Sequence, residues 1–197
     1  MSYDRILDFW FGELESGLAD AAHRKRWYKS TKALDAEIGE RFGALLESAA
    51  ERRLDDWFES PAGRLAFIVL CDQFPRNAFR GTARAFAYDP LALEAARDGI
   101  RLGEDQALET DQRSFFYMPF EHSEDLLDQH TCVGLFSQLL DETPADFKDK
   151  VSLSYAHQHR DIIVRFGRFP HRNEALERTS TPDELTYLAD GRTFGQG

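Results

Sequence analysis

The sequence predicts an all-α protein, and three observations carry that prediction. Ser60-Pro61, Asp89-Pro90, Thr143-Pro144 and Thr181-Pro182 each place a capping residue before a proline. At the first helical position the missing N–H of proline costs nothing, so each pair reads as a helix start. Apolar residues recur at steps of three and four through most of the chain, and no stretch alternates convincingly with period two. With 197 residues, 42% hydrophobic, and no low-complexity linker, the chain is long enough for one packed domain over 1–197. The tail from Gly191 is expected to fray. Short links between eight or so helices favour antiparallel neighbours, in a bundle or a stack of helical hairpins.

Taken in order, Ser2 caps a short helix to Phe11, with Ile6, Leu7 and Trp10 on one face and Gly12 as its stop. From Glu13 to Thr31 the pattern is ambiguous, with Trp27-Tyr28 as its anchor. Leu34, Ile38, Phe42, Leu45 and Ala49 mark a helix from Lys32 to about Arg52. The apolar run Leu65–Cys71 lies inside the helix that Ser60-Pro61 opens, and this helix should end before Pro75. A further helix spans Pro90 to Leu102, stopped by Gly103. Another starts at Thr110 or Asp111, and Pro119 should end or kink it. Ser123 reads as the cap of the next helix. Thr143-Pro144 opens a long helix to Phe166, closed by Gly167, and a last helix covers Pro182 to Asp190.

Composition narrows the function classes. A formal charge of −11 argues against a nucleic-acid surface. Nothing approaches the ~20 consecutive apolar residues of a membrane span. Met1 to Phe11 lacks a signal-peptide pattern, so a cytoplasmic location is expected, with Cys71 and Cys132 as buried thiols. His157-x-His159 resembles a metal pair, but on a helix the two rings diverge by about 200°. No motif for a cofactor is present.

The charge is uneven. Gln73 to Tyr88 carries Arg76, Arg80 and Arg84 with no acid, and His157 to Arg178 carries five arginines against three acids, whereas Glu104 to Asp128 is strongly acidic. The two basic segments hold similar turns, Phe74-Pro75-Arg76-Asn77 and Phe169-Pro170-His171-Arg172-Asn173, which suggests two corners facing one another. Either they receive an anion or they pair with the acidic stretch. Asp72, in the last turn of a buried helix, needs a cation; Arg76, Arg80, Arg165 and Arg172 are the candidates. On the Tyr155–Phe166 helix, His159 falls on the apolar face, and His157, Arg160, Asp161 and Arg165 fall opposite. His122, next to Glu121 and near Asp125 in a helix–helix link, has the neighbours of an acid–base histidine. It could equally close that link by hydrogen bonds.

Three long motifs carry a resemblance: Leu70-Cys71-Asp72-Gln73-Phe74-Pro75-Arg76-Asn77, Phe116-Tyr117-Met118-Pro119-Phe120-Glu121-His122-Ser123-Glu124, and Arg165-Phe166-Gly167-Arg168-Phe169-Pro170-His171-Arg172-Asn173. With Phe9-Trp10-Phe11-Gly12 and Ser180-Thr181-Pro182 they resemble the bacterial family known as domain of unknown function 924. The resemblance implies a tetratricopeptide-like superhelix of paired helices and no established activity. It leads one to expect a glycine where Glu177 stands.

The leading expectation is a polar pocket for a small anionic molecule, lined by Asp72, Arg76, Asn77, Glu121, His122, Arg160, Arg165, His171 and Arg172. An enzymatic version gives proton transfer to His122, its orientation to Glu121 or Asp125, and anion binding to the arginines. The rivals are a scaffold binding a protein segment in the helical groove and a purely structural arginine–carboxylate network.

Overall fold

The computed structural model describes residues 2–29 and 31–190, so the tail from Gly191 lies outside the described residues. Among the described residues there are ten α-helices, one two-stranded hairpin and short 3-10 and π-helical turns, and the class is all-α. Helix α1 (Asp4–Phe11) stops at Gly12, and the ambiguous stretch resolves into β1 (Leu14–Glu15), β2 (Leu18–Ala19) and α2 (Ala21–Tyr28). Ser16 and Gly17 both have positive φ, 53° and 81°, the backbone of a tight primed turn. Their hairpin hooks onto α7 (Thr110–Glu121), where Asp111 N donates to the Gly17 carbonyl at 3.1 Å and the Asp111 side chain accepts from Ala19 N at 2.8 Å.

Helix α3 (Lys32–Ala50) buries Ile38, Phe42, Leu45, Leu46 and Ala49, the face its periodicity predicts. Helix α4 (Pro61–Ile68) starts at Ser60, whose Oγ accepts from Gly63 N at 3.1 Å. It does not end before Pro75. Val69–Gln73 forms a π-helical turn, in which Phe74 N bonds the Val69 carbonyl, and α5 (Phe74–Ala78) continues with Pro75 in its first turn. Widening the turn by one residue relieves the conflict between the proline ring and the preceding turn, so the chain passes the proline without leaving the helix.

Helix α6 (Asp89–Leu102) closes at Gly103 with φ 72°. Its Asp89 makes no cap bond, and the carboxylate is used elsewhere. Helix α7 runs through Pro119 to Glu121, against the expectation that the proline would stop it; the next backbone bond, His122 N to the Met118 carbonyl at 2.9 Å, keeps the helical pattern. Asp125, not Ser123, caps α8 (Leu126–Glu142). Thr143 ends α8 by donating its hydroxyl to the Leu139 carbonyl at 2.7 Å and starts nothing. A 3-10 turn (Ala145–Lys150) follows, and α9 is therefore shorter than expected, Leu153–Phe166. Thr181 and Glu184 form a reciprocal capping box at the start of α10 (Pro182–Ala189).

Helix α7 packs on α8, α8 on α9, and α4 against α6 and α7. The core is rich in rings: Phe74 meets Phe9, Trp10 and Phe42, and Phe115 meets Trp10, Phe11 and Trp27. Leu65, Ala66, Ile68, Val69, Leu70 and Cys71 are wholly enclosed. Asp72 follows directly on this apolar rod, which fixes one end of the polar cluster described next.

Candidate functional site

The π-helical turn presents Asp72 at 1% exposure. Its two carboxylate oxygens lie 2.8 and 3.0 Å from His122 Nδ1, and Gln73 Nε2 donates to Oδ2 at 2.6 Å. Arg76, one helical turn on, has Nη1 3.4 Å from Oδ1 and donates from the same nitrogen to the Asp72 carbonyl at 2.6 Å. Burial pushes the Asp72 carboxyl up, but Arg76 first, then His122 and Gln73, outweigh it and hold the acid well below the usual carboxylate range. An ionised carboxylate only accepts, so Nδ1 of His122 carries the hydrogen and Nε2 keeps its lone pair. Burial and the Arg76 charge depress the His122 pKa below 6.5 against the pull of Asp72. A neutral, oriented imidazole is the result.

Glu121, the residue before it, is poised in the opposite sense. At 6% exposure, its carboxyl is pushed up to about 8, by burial and then by Asp72, with Arg76 only partly opposing. The carboxyl lies 3.5 Å from His159 Nδ1, whose hydrogen goes to the Tyr155 carbonyl at 2.9 Å. Burial takes His159 down to about 3, with the neighbouring His122 charge as a secondary cause. Buried Gln129 holds the α7–α8 link in place by donating to the carbonyls of Phe120, Glu121 and Ser123 at 3.2, 2.7 and 2.7 Å.

The two Phe-Pro corners meet at Asp89. Arg76 donates to both its oxygens, at 2.7 and 2.9 Å, and Arg172 donates to Oδ2 at 3.1 Å. Arg172 also donates to the His122 carbonyl at 2.8 Å, with its guanidinium over the rings of Phe86 and Phe169. Burial and then Arg76 lower its pKa to about 10. His171 stands half-buried beside the Phe169 ring, taken down to about 3 by burial and by Arg172.

Of the residues the sequence singled out, Asp72, Arg76, Glu121, His122 and Arg172 come together, with His171 at their edge. Four do not join them. Asp125 is exposed and accepts from Leu127 N at 2.7 Å as the cap of α8, so it cannot orient His122; Asp72 has that place. Asn77 braces α5, donating to the Gln73 carbonyl at 3.0 Å and accepting from Arg80 at 3.3 Å. Arg160 pairs with its neighbour Asp161. Arg165 is 53% exposed and 3.8 Å from Asp183, on the outer face of α9. Asp89 and His159 were the residues sequence reasoning missed as members of the cluster. Asp89 reads as a helix cap because Pro90 follows it, yet it is the first acid after the acid-free basic segment, and that position is the signal in the sequence.

Glu121 also lines a cleft between α2, α7 and α9. Ser114, Met118 and Glu121 line one side at steps of four and three along α7, and Trp27, Tyr28 and Tyr155 line the other. Its cavity volume of about 40 Å³ holds a few water molecules. Among the described residues no group of three or more His, Cys, Asp or Glu is placed to hold a metal ion, and no helix is long and apolar enough to cross a membrane.

Among solved structures the chain is similar to ATU0120, a protein of unknown function from Agrobacterium tumefaciens. The two are 42% identical with a TM-score of 0.81, over 96% of this chain and 97% of that one. No curated protein matches. Residues 6–192 match the family described as bacterial protein of unknown function (DUF924), and the chain belongs to that family.

Proposed function

We propose that the cluster is an acid–base site acting on a small molecule, with His122 as the base, Glu121 as the acid and Asp72 as the residue that positions His122. The observation that carries this reading is the Asp72–His122 pair beside Glu121. Neighbouring groups are pushed in opposite directions, an ionised carboxylate holding an imidazole in one tautomer and a second carboxyl kept protonated near neutral pH. Such opposed poise is what proton donation and acceptance at one site require. The His122 side chain keeps 16% of its surface, and Glu121 reaches the cleft. The anion that the basic corners suggest has less support, since Asp89 and Asp72 already match Arg76 and Arg172. A cytoplasmic location and a tetratricopeptide-like pairing of helices belong to the same proposal, the latter supported by the successive packing of α7, α8 and α9.

A scaffold for a protein segment is the second reading, and the exposed Tyr28–Tyr155 pair at the cleft mouth favours it. Methyl NMR tests the first reading, because Met118 lines the cleft and the chain has only two methionines. With a panel of small carboxylates, phosphates, polyols and amines, the acid–base reading predicts that one class shifts the Met118 signal and that His122→Asn changes the response. No response to any class, together with a loss of several kcal/mol in His122→Asn, would make the cluster a brace.

A further inference from the structure

The cleft differs from the cluster behind it in one respect. Arginine and carboxylate charges in the cluster are matched, whereas the cleft is lined by Glu121, a carboxyl with no lysine or arginine ion pair among the described residues. Among the described residues Lys150, which lines the cleft, pairs with Asp149, and nearby Arg24 pairs with the lining residue Asp111. The neighbour of Glu121 is His159, at 3.5 Å. The walls are aromatic, with the Trp27 ring 4.6 Å from Phe115 and Tyr28 6.4 Å from Tyr155, centroid to centroid. Trp27 already receives a cation on its ring, the Arg24 guanidinium at 5.5 Å. Ring faces attract cations electrostatically, and a desolvated carboxyl lining an aromatic cleft completes the requirements of an ammonium group.

We propose that the cleft between α2, α7 and α9 binds the ammonium group of a small organic amine, with Glu121 as its counter-ion and Trp27, Tyr28 and Tyr155 as its walls. This rests on the reading that the cleft leads to the acid–base site above, and it changes one role there: with an amine bound, Glu121 is the ionised counter-ion, the ammonium is the acid, and His122 remains the base. The groups facing Glu121 are Asp72 and Arg76 behind it, His159 of α9 and the Cys132 thiol of α8 beside it, and Tyr28 and Lys150 at the cleft, with the Arg24–Asp111 pair at the far end of α7. The narrow volume admits an ammonium or methylammonium head rather than a bulky cation. Binding is coupled to a proton: the carboxylic acid of Glu121 gives its proton to the buffer, and the resulting carboxylate pairs with the incoming ammonium, which keeps its own three hydrogens. Because Glu121 titrates at about 8, uptake at pH 7 releases about 0.9 proton, and affinity rises about fifty-fold from pH 6 to pH 8.

The test is calorimetric titration of the full chain with methylammonium and propylammonium, in buffers of different ionisation enthalpy, with acetamide and acetate as neutral and anionic probes. The Met118 methyl signal is followed in parallel. The ammonium probes are expected to bind with that proton release and pH dependence. Glu121→Gln, which keeps the shape of the protonated acid, is expected to weaken them more than tenfold and to abolish the release. Tyr155→Ala, at a half-exposed wall residue, weakens binding about fivefold with the release intact, and stands in if Glu121→Gln does not fold. Acetate or acetamide binding as well as the ammonium probes, or ammonium binding without proton release, overturns the amine proposal and leaves the acid–base reading in place. No probe of any charge moving Met118 overturns both.

Discussion

Two corners with nearly the same sequence, Phe74-Pro75-Arg76-Asn77 and Phe169-Pro170-His171-Arg172-Asn173, solve one problem with different backbones. The first is the start of a helix, α5; the second is a 3-10 turn after α9. Both bury an arginine at 7% exposure and send it to Asp89. In both, an arginine further along bonds the asparagine side-chain oxygen, Arg80 to Asn77 and Arg178 to Asn173. Four residues after each asparagine the backbone turns left-handed, at Gly81 with φ 74° and at Glu177 with φ 54°. The corners differ in charge environment. Arg76 lies between two carboxylates, Asp72 and Asp89, which raise its pKa against the effect of burial. Arg172 shares one of them and adds only a carbonyl and two ring faces. Asp89 is thus the pivot, and the first corner is the more tightly held.

The largest effect should come from removing that pivot. Asp89→Ala leaves two buried guanidinium groups competing for Asp72, and an expected loss of about 3–5 kcal/mol would appear as a lower denaturation midpoint. A loss under 1 kcal/mol would mean that the corners are held by packing alone. Next, the corners should be unequal. Arg76→Ala leaves the fully buried Asp72 carboxylate with only its His122 and Gln73 hydrogen bonds and should cost about 3–4 kcal/mol, while Arg172→Ala, which gives up one shared ion pair and one carbonyl bond, should cost about 2 kcal/mol. The reverse order would break the comparison.

Acid stability should depend on the second corner, which alone carries a histidine. His171 and His159 have folded pKa values of about 3, below the 6.5 of the unfolded chain. Their contribution is complete above pH 6.5 and is lost as pH falls toward 3, at up to about 1.4 kcal/mol per pH unit for each group. Glu121 works the other way. Its folded pKa of about 8 exceeds the unfolded 4.5, so its contribution is present below pH 4.5 and is lost as pH rises to 8. Urea midpoints from pH 4 to pH 9 should give a maximum near pH 6 to 7. His171→Asn should flatten the acid limb and Glu121→Gln the alkaline one.

The smallest effect concerns the left-handed residues. A β-carbon at φ 54° is strained, and the first corner uses glycine at the matching place. Glu177→Gly should therefore stabilise by about 0.5–1 kcal/mol, the relief of strain outweighing the added chain entropy. Destabilisation would show that the Glu177 side chain has a role of its own.

Much of this arrangement could be read from the chain. Caps and periodicity place α3, α4, α6 and α10, Gly103 and Gly167 stop helices, and the need of Asp72 for a cation follows from its place after Leu65–Cys71. Where chain and structure differ, the cause is shared: proline and polar caps do not act only locally. Pro75 and Pro119 do not end their helices, because a π-helical turn and a buried helix environment accommodate them. Thr143 turns its hydroxyl back on α8, and Asp89 spends its carboxylate on residues 13 and 83 positions away. Long-range pairing of that kind leaves no periodic trace in one sequence. The Asp72–His122 bond, across 50 residues, is of the same kind.

The Asp72–His122 bond holds the cluster's histidine in place, and nitrogen-15 NMR of the histidine side chains tests it. His122 should be the Nδ1–H tautomer with a pKa below 6.5, and Asp72→Asn should lower that pKa further, because the carboxylate is what holds it up. An Nε2–H tautomer, or a pKa at or above 6.5 that ignores Asp72→Asn, would contradict it.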